Sequence, residues 1–149
     1  MYISIGCDHS AVDLKKEIIT LLQTLGYEVL DRGTNSKESC DYTDFGYQVA
    51  KDVQTGMAKK GIVICSTGIG MSIIANKVKG VRCALVYNVD AALLTRQHND
   101  SNCLALSAKY TDVSTAKEIV ETWLKTPFSE NERHMRRIQK IKNYEEEWK

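Results

Sequence analysis

The feature that most restricts the fold is the run Ile62-Val63-Ile64, which passes directly into Cys65-Ser66-Thr67-Gly68-Ile69-Gly70 and then Met71 to Lys77. The β-branched run predicts a strand, the two glycines a turn, and the residues after them a helix. In a strand-turn-helix unit the N–H groups at the helix start converge and favour an anion. A glycine turn also occurs wherever strand and helix merely pack closely, so the glycines alone leave ligand binding open. Gly, Thr and Cys at one turn narrow the choice, because Cys65 then stands with its thiol at the lip of the anion site.

The same alternation recurs along the chain. Tyr2 to Gly6 predicts a first strand, and Val12, Ile18, Ile19, Leu22 and Leu25 fall at helical spacing before Gly26. Glu28 to Asp31 predicts a second strand and Gly33 to Asp41 a polar loop. A helix is expected from Asp44, with Thr43 or Asp44 as its cap, to near Gly56. Gly61 to Cys65 is the third strand, followed by the glycine turn and a helix to Lys77. Val81 to Val86 predicts a fourth strand, Asp90 to Gln97 a helix, and Cys103 to Leu106 a fifth strand. Ser114 to Leu124 predicts a helix capped by Ser114 and stopped before Pro127. Strands and helices in strict alternation, joined by right-handed crossovers, imply an α/β fold with a parallel sheet between helical layers. No repeat, low-complexity tract or linker interrupts the pattern, so residues 1–149 are expected to form one domain. Ligands of such sheets bind beyond the carboxyl ends of the strands. That rule brings forward Asp8-His9, Asp41-Tyr42, Cys65 to Gly70 and His98-Asn99.

Lysine and arginine number 20 against 19 aspartates and glutamates, a balance that points away from nucleic acid and membrane surfaces and toward a small, locally recognised partner. The apolar start Met1 to Ile5 lacks a basic flank and is too short for a signal peptide. No stretch approaches the ~20 apolar residues of a membrane span. The five cysteines form an odd set without a CxxC pair, which suits a reduced, cytoplasmic protein.

Cys65 has two readings. It is a buried, inert thiol like Cys83 and Cys103, or a thiolate favoured by the helix start beside it, acting as nucleophile or general base. Nucleophilic hydrolysis requires a Cys-His pair with an orienting Asn or Asp, which His98 and Asn99 supply on paper. Asp8-His9 offers an acid and an imidazole able to open a sugar ring or hold a hydroxyl, while Asp8 or Ser10 equally serves as a helix cap. Tyr42 packs or binds, and a lone His98 is as often structural. Metal ligation through Cys7, His9, Cys65 and His98 lacks any paired ligand spacing.

Glu130 to Trp148 lies outside the strand-helix alternation. Ile138, Ile141 and Trp148 repeat at about helical spacing, so this extra C-terminal helix is expected to pack one face on its own domain or on a partner subunit. Arg133 and Arg137 stand one i,i+4 step apart and point the same way, an arrangement suited to a phosphate and equally to a solvated basic face. Acid, imidazole, thiol, glycine turn and aligned arginines together favour a phosphorylated small molecule undergoing proton transfer.

Gly6-Cys7-Asp8-His9, Asp41-Tyr42-Thr43-Asp44, Cys65 through Gly70, Ala75-Asn76-Lys77-Val78-Lys79-Gly80-Val81-Arg82, Arg96 through Asn102 and Arg133-His134-Met135-Arg136-Arg137 resemble the motifs of type B ribose-5-phosphate isomerases, whose family includes galactose-6-phosphate and allose-6-phosphate isomerases. The resemblance spans the whole chain in order. It implies a Rossmann-like three-layer fold, a homodimer with each site built across the subunit interface, and cofactor-free, metal-free interconversion of ribose 5-phosphate and ribulose 5-phosphate; pairing of dimers into a tetramer is left open by the sequence. Under it, Cys65 is the base, and Thr67 and His98 assist ring opening and proton traffic. Asp8 and Tyr42 bind hydroxyls. The backbone from Ser66 through Gly68 to Gly70, with Asn99, stabilises an enediolate, and His9, Arg133 and Arg137 hold the phosphate.

The chain departs from the family pattern at two places. Ser66 replaces a usual glycine, which demands a negative φ there. Ser107-Ala108-Lys109 replaces a Gly-rich segment ending in arginine, so a third arginine contact becomes lysine or is lost. Met71 stands where some relatives carry a glutamate base, leaving Cys65 as the sole base in the loop. His98-Asn99-Asp100 favours the ribose enzyme. The alternatives are a six-carbon sugar-phosphate isomerase and a non-catalytic sugar-phosphate binder.

Overall fold

A computed structural model describes residues 1–149. The strands are β1 (Tyr2–Cys7), β2 (Glu28–Asp31), β3 (Lys60–Cys65), β4 (Cys83–Leu85) and β5 (Cys103–Ser107). The helices are α1 (Val12–Thr24), α2 (Tyr42–Thr55), α3 (Ile69–Ala75), α4 (Val89–Asn99), α5 (Val113–Lys125) and α6 (Glu132–Glu145), with one 3-10 turn at His9–Ala11. All five strands are parallel, in the order β2-β1-β3-β5-β4. The expected five-stranded α/β sheet with an additional C-terminal helix is therefore the fold.

Alternation along the buried strands divides the core in two. Ile3, Ile5 and Cys7 of β1, Ile62 and Ile64 of β3, and Leu104 and Leu106 of β5 face α1, α4 and α5, where Trp123 is wholly buried. Val63 and Cys65 of β3 and Cys103 and Ala105 of β5 face α2 and α3, packing on Val49, Ala50, Met71 and Ala75. Cys65 thus belongs to the α2–α3 face.

Several boundaries differ from the sequence expectations. The fifth helix is capped by Asp112, whose carboxylate accepts from Thr115 N–H at 2.7 Å; Ser114 lies inside the first turn. Neither Thr43 nor Asp44 caps α2, which begins at Tyr42 behind Asp41 and holds Asp44 in its first turn, where the helix dipole favours a carboxylate. The helix expected to reach Lys77 ends at Ala75. Asn76 turns its amide onto β4, donating to Cys83 O at 2.9 Å and accepting from Cys83 N–H at 2.8 Å. That strand is shorter than expected because it is an edge, paired with β5 alone. Cys83 is half-buried there rather than fully buried like Cys103.

Two charged clusters tie the layers together. Lys15 is 0% exposed, and its ammonium donates to Asp31 at 2.7 and 2.9 Å, to Thr34 O at 3.0 Å and to Asn35 Oδ1 at 2.7 Å. The polar segment after β2 is thereby pinned to α1. Asp52 of α2 accepts from Ser4 of β1 at 2.7 Å and from Arg32 at 2.6 and 3.0 Å. Burial acts to raise the Asp52 carboxyl, but the hydrogen bonds from Arg32 and Ser4, the Arg32 charge and the Gln48 amide prevail and hold it below the ordinary carboxylate range.

A carboxyl lowered by folding contributes stability above its unfolded value of about 3.9, and loses that contribution as the pH falls through its lower folded value. Asp52→Asn is therefore expected to reduce unfolding free energy by about 2 kcal/mol at neutral pH. In urea titrations the gap from wild type should close as the medium is acidified below about pH 4.

Candidate active site

The strand order reverses between β1 and β3, and a parallel sheet opens a crevice at the carboxyl ends of such a pair. Asp8 and His9 leave β1 there, Cys65 to Gly70 leave β3, and Tyr42 opens α2 beside them. Asp8 Oδ1 caps the 3-10 turn, accepting from Ser10 N–H at 3.0 Å and Ser10 Oγ at 2.5 Å. His9 Nδ1 accepts from Cys40 N–H at 3.3 Å, which leaves Nε2 as the donor of the neutral ring. The Tyr42 ring lies flat against Gly70: a Cβ there would stand 2.6 Å from it, so only glycine admits the aromatic ring.

The loop itself is held from several directions. Cys65 is 5% exposed, and its Sγ accepts from Gly68 N–H at 3.2 Å. Ser66 O accepts from Ser107 Oγ at 2.7 Å and from Lys109 N–H at 2.9 Å. Thr67 O accepts from Tyr87 Oη at 2.7 Å, and Thr67 Oγ1 from Ile69 N–H at 3.2 Å. The N–H groups of Thr67 and Gly70 have no acceptor within the chain. Gly68 adopts φ +78°, and a Cβ on it would meet Leu106 O at 2.9 Å. Ser66 is not among the residues with positive φ, so the serine fits the backbone that a glycine usually occupies.

Cys7 provides the contrast. Its thiol is buried and donates to Thr34 O at 3.4 Å. Burial pushes it up to about 12, aided by Asp31 and Asp8 and opposed by Lys15, so it stays protonated at neutral pH.

His98 and Asn99 are not at the carboxyl ends of the strands, contrary to the sequence expectation. They end α4, and a helix that follows a parallel strand runs back toward the strand starts. Asp100 and Arg96 act on Lys60 at the beginning of β3, and Gly61 N–H donates to Asn102 O at 3.0 Å. Cys65 stands at the far end of that six-residue strand, a span of roughly 17 Å at the usual rise. A Cys65–His98 pair within one chain is therefore excluded, and with it hydrolysis by an intrachain Cys-His dyad.

Arg133 and Arg137 are exposed on α6, which packs on α4. Neither guanidinium has a carboxylate partner, whereas Arg136 is engaged by Glu132 at 2.9 and 3.0 Å. The His98 and His134 rings stack with centroids 4.5 Å apart. Burial, then the neighbouring His98, Arg133 and Arg137, hold His134 below the ordinary imidazole value, and its Nδ1 meets Ser129 Oγ at 2.7 Å. The structure thus gathers Asp8, His9, Tyr42, Cys65, Ser66, Thr67, Gly68 and Gly70 at one pole and His98, Asn99, Arg133 and Arg137 at the other. No three His, Cys, Asp or Glu side chains converge as a metal site requires. Sequence reasoning did not single out Cys40, Tyr87 or Ser107 as supports, since each reaches the site across a long sequence gap.

Known proteins resemble this chain in sequence and in fold. The sequence profile of the Ribose/Galactose Isomerase family matches residues 3–141. Ribose-5-phosphate isomerase B of Escherichia coli is 43% identical over 139 residues, 93% of each chain. The structure of Clostridium thermocellum ribose-5-phosphate isomerase B superposes with TM-score 0.97 at 47% identity over 100% of both chains. That of the Mycoplasma genitalium enzyme with bound ribulose 5-phosphate superposes with TM-score 0.94 at 42% identity, covering 99% of this chain and 97% of the other. With the profile spanning nearly its full length, this chain belongs to the Ribose/Galactose Isomerase family.

Proposed function

We propose that the protein is an aldose-ketose isomerase that interconverts D-ribose 5-phosphate and D-ribulose 5-phosphate in the cytoplasm. The observation that carries this reading is the loop after β3, where a nearly buried thiol lies beside N–H groups with no acceptor of their own. A relative 42% identical holds ribulose 5-phosphate.

In the forward direction the furanose ring opens, with Thr67 and His98 passing the proton between the ring oxygen and the anomeric hydroxyl. Cys65 thiolate then removes the proton from C2 of the open aldose, and the electron pair moves onto the C1 oxygen to give an enediolate. The N–H groups of Thr67 and Gly70, with Asn99, stabilise that oxygen; one preorganised donor lowers such a barrier by about 3 kcal/mol. Cys65 returns the proton to C1 while the proton of the C2 hydroxyl moves to the C1 oxygen, leaving the ketose. Asp8, through the carboxylate oxygen not used by Ser10, and Tyr42 hold sugar hydroxyls. His9 Nε2, Arg133 and Arg137 hold the phosphate, whose binding energy positions the reacting carbons.

The pole-to-pole separation of these groups implies that His98, Asn99, Arg133 and Arg137 serve the loop of a second copy. The outer face of β4 offers the meeting surface: a cleft of about 480 Å³ lined by Ala84, Asn99, Ile141, Tyr144 and Trp148. The C-terminal helix packs at this dimer interface.

Cys65→Ala is expected to lower kcat in a coupled ketose-formation assay by about 10²–10⁴-fold, and near wild-type turnover would refute the base. Arg137→Ala should raise KM about tenfold to a hundredfold, the loss of charged hydrogen bonds of roughly 1.5–3 kcal/mol. Mixing these two variants, assayed with ribose 5-phosphate well below the wild-type KM so that both parents are impaired, tests the shared site directly. About half the dimers become mixed, each with one intact site, restoring about a quarter of wild-type activity; a monomer-contained site restores none. Assays of five- and six-carbon aldose phosphates side by side distinguish ribose 5-phosphate from allose or galactose 6-phosphate as substrate.

A further inference from the structure

Tyr87 follows β4 and is 39% exposed, yet its hydroxyl reaches the reactive loop, donating to Thr67 O at 2.7 Å. That carbonyl belongs to the same peptide unit as the Gly68 N–H, which donates to Cys65 Sγ at 3.2 Å. In a planar trans peptide the C=O and N–H point in opposite directions and turn together. Holding the carbonyl on Tyr87 therefore aims the N–H at the sulfur. The chain O–H···O=C–N–H···S also polarises the amide, making its N–H a stronger donor.

The loop backbone gives this hold a specific task. Gly68 has φ +78° and ψ −13°, the conformation of the third residue of a type II turn. A flip of the Thr67–Gly68 peptide converts such a turn to type I, and glycine tolerates both forms. In the flipped form the Thr67 carbonyl, not the Gly68 N–H, faces Cys65. The preceding peptide is secured independently by Ser107 and Lys109 on Ser66 O. Tyr87 is the only hydrogen-bond donor to Thr67 O.

We propose that Tyr87 is a positioning residue for the isomerisation: its hydroxyl selects the orientation of the Thr67–Gly68 peptide in which the amide stabilises the Cys65 thiolate. The catalytic consequence rests on Cys65 being the base. The titratable groups on the elements flanking the loop are Asp8 and His9 after β1, Tyr42 at the start of α2, and Lys109 and Tyr110 after β5, and none of them is hydrogen-bonded to the Tyr87 hydroxyl.

Tyr87→Phe removes the hydroxyl alone. Alkylation of Cys65 by iodoacetamide, followed across pH by mass spectrometry of the Cys65 peptide, should slow about threefold to tenfold at neutral pH, the loss of one hydrogen bond. Its titration curve should move to higher pH, because the hydrogen bond favours the charged form. The kcat for ribose 5-phosphate should fall by a similar factor with KM unchanged. Tyr110, whose ring meets Tyr87 edge-on at 5.9 Å, provides the control: Tyr110→Phe should alter neither readout. A Cys65 titration curve in Tyr87→Phe that overlays the wild type overturns the proposal, even if turnover falls. Full turnover by Cys65→Ala would instead refute the base assignment, and is told apart because it leaves a displaced Cys65 curve standing.

Discussion

A sheet whose strands all run one way has one end where strands finish and another where they begin, and much else in this molecule follows from that polarity. Each strand-to-helix turn lies at the finishing end, so Asp8, His9 and the Cys65 loop meet there. Each helix must return before the next strand starts, so the last turn of α4 is carried to the opposite end. His98 and Asn99 are separated from the thiol by the length of β3. Arg133 and Arg137 lie with them, on α6, which packs on α4, so the direction of the strands alone keeps this basic group apart from the thiol.

The loop after β3 illustrates how backbone geometry is held by groups far away in sequence. Successive carbonyls are bonded from outside, Ser66 O by Ser107 and Lys109, Thr67 O by Tyr87. With the carbonyls fixed, the amides between them have fixed directions as well, and donors that need not reorganise are those that stabilise developing charge best. His9 is treated alike, its ring set by the Cys40 amide. Cys40 in turn belongs to the segment whose start is tied down by the buried Lys15 ammonium.

How much of this was legible in the sequence depended on the range of the interaction. The strand-helix alternation and the glycine turn are local patterns, and they led to the parallel sheet and to the place of Cys65 at the end of β3. The single-residue caps did not follow: Asp112 and Ser114 are both good N-cap types two positions apart, and only the true helix start separates them. Placing His98 with the strand ends overlooked the direction of its helix, a consequence already contained in the parallel topology. The supports were beyond reach, because Cys40, Tyr87 and Ser107 act across 31, 20 and 41 residues through backbone atoms that carry no sequence signature.

The Asn76 amide on the outer side of β4 has a further consequence. By offering one donor and one acceptor to Cys83, it imitates the peptide of an additional strand. An exposed sheet edge is otherwise a template on which other chains extend the sheet, the usual first step of aggregation. Here an incoming strand would have to displace the amide.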